Sequence, residues 1–212
     1  MQRLPVYLLL DTSGSMKGEP IESVKAGLTM LVSSLRQDPF ALDAVYLSVI
    51  TFDRDIKISA PLKALDTFQI PEIQTPESGP THLGLALEIL CQQMDQEVRK
   101  SSEDQKGDWK PLVFIMTDGS PSDLQKYREM IPEINKRDLG IIVGCAAGPK
   151  AKSEYLLELT NQVVSMDTID QGSFSQFIKW VSASISRGSR SGGASQQIQL
   201  PPPPTGINPI TL

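Results

Sequence analysis

The stretch VYLLLDTSGSMKG, residues 6–18, joins five apolar residues to an aspartate, then to two serines spaced by one residue, and glycines. A run that is apolar on both faces is a strand buried between two layers of helix. In an open α/β sheet, ligands sit outside the carboxyl ends of the strands, near the point where strand order reverses. Asp11 stands at such an end. Ser13 and Ser15 follow on the loop, where Gly14 and Gly18 permit a tight backbone. One carboxylate and two hydroxyl oxygens suit a hard divalent cation, which takes oxygen ligands and keeps some of its water. The same residues also read as a turn that caps a helix near Glu19, and taken alone they leave the two readings level.

A second strand end tips the balance. LVFIMTDGSPSD, residues 112–123, is again an apolar run, and it ends in Thr117, Asp118 and Gly119, so Asp118 has the same address as Asp11. Between the two, ESGPTHLGLALEIL, residues 77–90, sets Thr81 after Gly79 and Pro80 at the opening of an expected helix. Each feature alone is ordinary, Thr81 as a helix-start residue and Asp118 as a turn former. Three such coincidences at one edge of one sheet are much rarer than any one, and together they read as a metal site.

Further apolar, β-rich runs at Ala44–Phe52, Gly140–Ala146 and Gln162–Met166 alternate with segments of helical spacing. Ile21, Val24, Leu28, Leu31, Val32 and Leu35 keep the 3.6-residue period, and so do Leu83, Leu87, Leu90, Cys91, Met94 and Val98. Shorter stripes run from Leu124 to Ile134 and from Phe174 to Ile185. The expected fold is α/β, a doubly wound, Rossmann-like, mostly parallel six-stranded sheet with helices on both faces. One antiparallel edge strand is expected at Ile56, Ile58, Ala60 and Leu62, which alternate strictly, follow closely on Phe52 and include Pro61. Residues 189–212, SRSGGASQQIQLPPPPTGINPITL, have no carboxylate and no periodicity, and they carry a run of four prolines. They are expected to form a flexible, Pro-rich C-terminal tail after a domain of residues 1–188. Deleting such a tail should leave the melting temperature nearly unchanged.

At 212 residues the chain suits one domain with a core that needs no staples. A formal net charge of -5, with no block of like charge, argues against an electrostatic nucleic-acid binder. Cys91 and Cys145 fall inside apolar periodic stretches and read as buried thiols, and the absence of a C-x-x-C pair removes support for a zinc or redox motif. Asp11 follows the start too closely for a signal peptide, and no apolar run approaches a membrane span, so a cytoplasmic protein without membrane insertion is expected.

Asp11, Ser13, Ser15, Thr81 and Asp118 resemble, position for position, the D-x-S-x-S, T and D elements of the metal-ion-dependent adhesion site of von Willebrand factor A domains. The resemblance runs from about Leu4 to Ser186. It implies that the serines and the threonine bind the ion directly or through water, and that the aspartates bind directly or from behind the ligands. The remaining position is left for an acidic residue of a protein partner. The implied ion is magnesium, with manganese able to replace it. Calcium suits the site less well, because it usually wants more oxygens than this set supplies. More narrowly, LLLDTSGSM, GPTHLGLAL, MTDGSPSD and FSQFIKWVSASIS look like TerY-type proteins of tellurium-resistance clusters. That likeness implies an adaptor in stress signalling beside a protein kinase and a metal-dependent protein phosphatase. A subunit of a chelatase or AAA-ATPase-type assembly is an alternative.

Enzymatic readings find little support. A phosphohydrolase built on Asp11 as nucleophile wants a second aspartate two residues on, where Ser13 stands. No G-x-x-x-x-G-K-[ST] is present for nucleotide phosphates. His82 is the sole histidine and reads as a solvent-facing residue of a first helical turn. The expected role is therefore binding without catalysis.

Overall fold

In a computed structural model, which describes residues 2–75, 79–102, 104, 106–190 and 200–210, the apolar runs form a seven-stranded sheet. The chain runs β1 (Leu4–Asp11), α1 (Glu19–Arg36), α2 (Pro39–Ala44), β2 (Val45–Phe52), β3 (Ile56–Ala64), α3 (Leu83–Glu97) and β4 (Leu112–Thr117). It continues through α4 (Leu124–Asn135), β5 (Ile141–Ala147), α5 (Ser153–Leu159), β6 (Val163–Met166), α6 (Gln171–Arg190) and β7 (Ile207–Ile210).

Strand order is β3-β2-β1-β4-β5-β6-β7. The inner pairs are parallel, while β3 and β7 run antiparallel to their neighbours. From β1 the chain first builds outward through β2 and β3, then returns to lay β4 on β1's other side. The order therefore reverses between β1 and β4, at Asp11 and Asp118.

Strand alternation explains the two cores. Val6, Leu8 and Leu10 face α1 and α6, packing with Val24, Leu28, Leu31, Phe174, Ile178 and Val181. Tyr7 and Leu9 face the opposite layer with Leu83, Leu87 and Leu90 of α3, and Tyr127 and Ile134 of α4. Because helices cover both sides, every residue of β1 and β4 is buried. Cys91 and Cys145 are buried free thiols, and burial pushes the Cys91 thiol up to about 11. The β2–β3 hairpin has an irregular register, and Pro61 falls in the gap between the pairs Val49–Ala60 and Leu47–Lys63. An edge strand tolerates a proline there because it need not donate an N–H.

Two expectations are corrected. The sheet has seven strands and two antiparallel edges, because Ile207–Ile210 pairs with β6. The supposed flexible tail is thus bound where it is described. The Trp180 indole N–H donates to the Pro201 carbonyl at 2.7 Å, Leu200 lies against the core and Ile207 is buried. An unpaired strand edge and an apolar contact are enough to hold so short a segment. The expected boundary at residue 188 also cuts α6, which continues to Arg190. Residues 191–199 and 211–212, on which the rest of that expectation falls, lie outside the described residues. Among the described residues, no helix is long and apolar enough to cross a membrane.

Candidate metal centre

The last residue of β1 is Asp11, and its side chain is wholly buried. One carboxylate oxygen accepts the Ser13 backbone N–H at 2.8 Å, folding the loop back over the strand end. The other accepts the Thr117 hydroxyl at 2.6 Å. A short 3₁₀ turn, Gly14–Met16, then carries Ser15 past Ser13, and Met16 anchors it in the core. The two serine hydroxyls lie 3.2 Å apart, and Ser15 Oγ donates to Asp118 Oδ1 at 2.9 Å. A continuous chain of hydrogen bonds, through the Ser13 N–H and then the two serine hydroxyls, thus links the ends of β1 and β4.

Thr81 reaches the same place from the α3 side. It lies two residues before α3 rather than inside it, a correction to the expected helix start. Both its backbone groups are held by Ser122: the Thr81 N–H donates to Ser122 Oγ at 3.0 Å, and the Ser122 N–H donates to the Thr81 carbonyl at 2.8 Å. A Cβ placed on Gly119 would lie 3.4 Å from Thr81 Oγ1, so that hydroxyl borders the turn that follows Asp118. The α3 terminus that Thr81 might have capped is served instead by Asp123, whose carboxylate accepts the Gly84 and Leu85 N–H groups at 3.1 and 2.8 Å. All five residues picked out in the sequence therefore gather at one sheet edge.

Burial is the main force on the charges here. It pushes the Asp11 carboxyl up to about 6, against the hydrogen bonds from Thr117 and Ser13, and the nearby Asp118 adds to the rise. Burial also raises Asp118, opposed by the Ser15 hydrogen bond and by the charge of Lys150. Two carboxylates and three hydroxyls, all hard oxygens, fit a divalent cation whose charge they would roughly balance. Among the described residues no group of three His, Cys, Asp or Glu is positioned for a metal, so an ion held here would draw on the hydroxyls as well as the two carboxylates.

Some supporting residues carried no sequence signal beyond their position. Thr117 orients Asp11, and Thr12 ties the loop to the β2–β3 turn by donating to Asp53 Oδ2 at 2.9 Å. A threonine next to each strand-end aspartate was the available clue. His82 is half-buried, and its Nδ1 lies 2.9 Å from the Arg54 carbonyl, so the ring braces the turn rather than facing open solvent.

Residues 6–183 match the family model of the von Willebrand factor type A domain. The thrombospondin-related anonymous protein of Plasmodium berghei is 27% identical over 155 residues, covering 69% of this chain and 25% of that protein. An uncharacterised protein of Synechocystis is 33% identical over 130 residues, covering 56% of this chain and 26% of its own. The chain spans about a quarter of the length of these curated relatives. Among solved structures, proximal thread matrix protein 1 from the mussel byssus aligns with a TM-score of 0.68 at 16% identity, over 87% of this chain and 48% of that one. The mussel protein has also been solved with a zinc-occupied MIDAS motif, at a TM-score of 0.59 and 18% identity over 85% of this chain and 46% of that one. At such identities the likeness shows the fold.

Proposed function

Because the chain belongs to the von Willebrand factor type A domain family, we propose that its strand-end oxygen cluster is a metal-ion-dependent adhesion site that captures a carboxylate from a protein partner. Domains of this family mediate protein–protein interactions through such a metal site. The observation that carries the reading is the hydrogen-bonded chain from Asp11 through Ser13 and Ser15 to Asp118, bordered by the Thr81 hydroxyl. Asp11, Ser13, Ser15, Thr81 and Asp118 would hold the ion directly or through water. The ion would neutralise the buried Asp11 and half-buried Asp118 carboxylates and present its outward position to an incoming anion. With the two carboxylates divided between direct ligation and the groups behind the ligands, and neutral hydroxyls or water in the other positions, the bound cation would keep enough positive character to attract a further carboxylate.

Magnesium is the ion we assign, with manganese as a substitute, since both accept hard oxygen ligands and retained water. The zinc of the mussel protein makes zinc a third ion to compare. The narrower role, an adaptor beside a kinase and a metal-dependent phosphatase in a tellurium-resistance or stress-response system, is supported by the motifs LLLDTSGSM, GPTHLGLAL and MTDGSPSD.

The test is a binding assay titrated with magnesium on wild type and Thr81→Ala, with thermal melts alongside. Thr81 contributes its backbone to Ser122 regardless of side chain, so the substitution should leave Tm within about 2–3 °C, the shift of roughly 1 kcal/mol in a chain of this size. Magnesium-dependent capture of partner should fall at least tenfold. Asp11→Ala should abolish it. Equal partner capture in excess chelator would refute the adhesion reading.

A further inference from the structure

The rim of the site carries charges of both signs. On the β2 side, Asp53 spends its carboxylate on Thr12 and on the Asp55 N–H, while Arg54 and Asp55 are both exposed, as is Lys17 after the serine loop. On the β5 side stand Lys150 and Lys152, both exposed. Beyond them, Asp170 is committed to Thr168 and Ser173 at the start of α6, and Asp167 is exposed at the end of β6.

Lys150 is held in place by the turn that carries it. Thr117 at the end of β4 pairs with Ala146 in β5, so the chain beyond β5 emerges beside Asp118. Gly148 then turns at φ +88, where its N–H donates to the Met166 carbonyl at 2.7 Å. Such a backbone is open to glycine and strained for other residues. Ala151 closes the turn, donating to the Gly148 carbonyl at 3.2 Å and packing on the apolar core. Lys150 is exposed between these anchors, on the turn that leaves β5 beside the end of β4. It forms no ion pair with any described acidic residue that would occupy it.

Lys152 is unexpected in a different way. It occupies the position before α5 and makes no capping hydrogen bond there. A hydroxyl or an acid would serve that helix start better, and a cation opposes the local backbone dipoles. Residues that break a local rule without a folding benefit concentrate where function needs them.

We propose that Lys150 is a second recognition point of the adhesion site, so that a partner places one carboxylate on the ion and a second, two residues away in an extended segment, on the Lys150 ammonium. The inference rests on the adhesion reading above and names the partner's chemistry: an acidic pair rather than a lone Asp or Glu. The spacing follows from elementary dimensions. Adjacent strands lie about 4.8 Å apart and residues i and i+2 of an extended chain about 7 Å apart on one face, a span that a lysine stem bridges. Lys152, two residues on and also exposed, adds a second positive charge to the same loop.

The experiment uses the full chain and four peptides on a neutral Gly/Ser background: one glutamate, two glutamates at i and i+2, two glutamates eight residues apart, and none. Binding is followed by NMR titration in magnesium and again in excess chelator. The i, i+2 pair should bind about three- to fivefold tighter than either the single acid or the distant pair, the size of an exposed ion pair. Lys150→Met should erase that preference while the variant still binds the single-glutamate peptide only when magnesium is present. Magnesium-dependent binding with no preference for the close pair, or a preference that survives Lys150→Met, would overturn the role of Lys150 and leave the adhesion reading standing. Peptide binding that persists in chelator would overturn both.

Discussion

Asp11 shows how a site of this kind is arranged against the stability of its own fold. The side chain is wholly buried, and burial sets its carboxyl at about 6. A folded-state value above the unfolded one means that the folded protein holds the proton more tightly. The associated stability is therefore present near pH 4 and is lost as pH rises through about 6. For metal-free protein the loss is about 3 kcal/mol, a rise of roughly two units at about 1.4 kcal/mol each. Urea melts between pH 4 and 8 on wild type and Asp11→Asn should show it as a difference that grows with pH. Saturating magnesium should remove it, because an ion-bound carboxylate needs no proton. A difference that is flat with pH would mean that Asp11 is solvated well enough to ionise freely. Thr117 and Ser13 already soften the cost by donating to the carboxylate, and both remain useful with the ion bound.

At the level of helices and strands, the site depends on how closely α3 and α4 meet, since one begins just after Thr81 and the other just after Asp123. Gly84 makes that approach possible: a Cβ there would collide with the backbone nitrogen of Tyr127. Helix propensity alone would predict that Gly84→Ala stabilises α3 by about 1 kcal/mol. The collision is with backbone, which cannot swing aside, so the opposite sign is expected. We predict a loss of about 1–3 kcal/mol, or about 3–10 °C in Tm, with magnesium affinity reduced because Asp123 and Ser122 move away from Gly84 and Thr81. A melt unchanged or raised by the substitution would show that the two helices can slide apart without cost.

Across the fold as a whole, the C-terminal segment closes the sheet. It covers the outer edge of β6 and keeps the Trp180 indole bonded through Pro201. Truncation after Arg190 should expose Ile207's share of the core, at about 1.5–3 kcal/mol, and leave the Trp180 N–H without its partner, at about 1–3 kcal/mol. The expected result is a Tm lower by about 5–24 °C and concentration-dependent association through the bare strand edge. Thermal melts with light scattering read both. An unchanged Tm would mean that the segment rests on the domain without stabilising it.

Much of this molecule is legible in short windows of sequence, because its strands and helices are specified locally. The apolar runs ending at Leu10, Phe52 and Met116 and the stripes through Leu28 and Leu87 have periods that a few residues express, and the layers follow from them. Asp11 and Asp118 are legible for the same reason, since a polar residue ending a buried strand is a local event. The four-residue strand Ile207–Ile210 is not: it contains a proline and no alternation, and it is a strand only because β6 offers unpaired N–H and C=O groups beside it. Nor can spacing along the chain say that Ser15 donates to Asp118, 103 residues away, or that Ser122 holds Thr81. Those contacts exist because β4 pairs with β1 at the reversal of strand order, and pairing between distant segments is settled by the packing of the whole sheet. The kinds of atoms in the site were set by the sequence alone; their meeting point was set by the order of the strands.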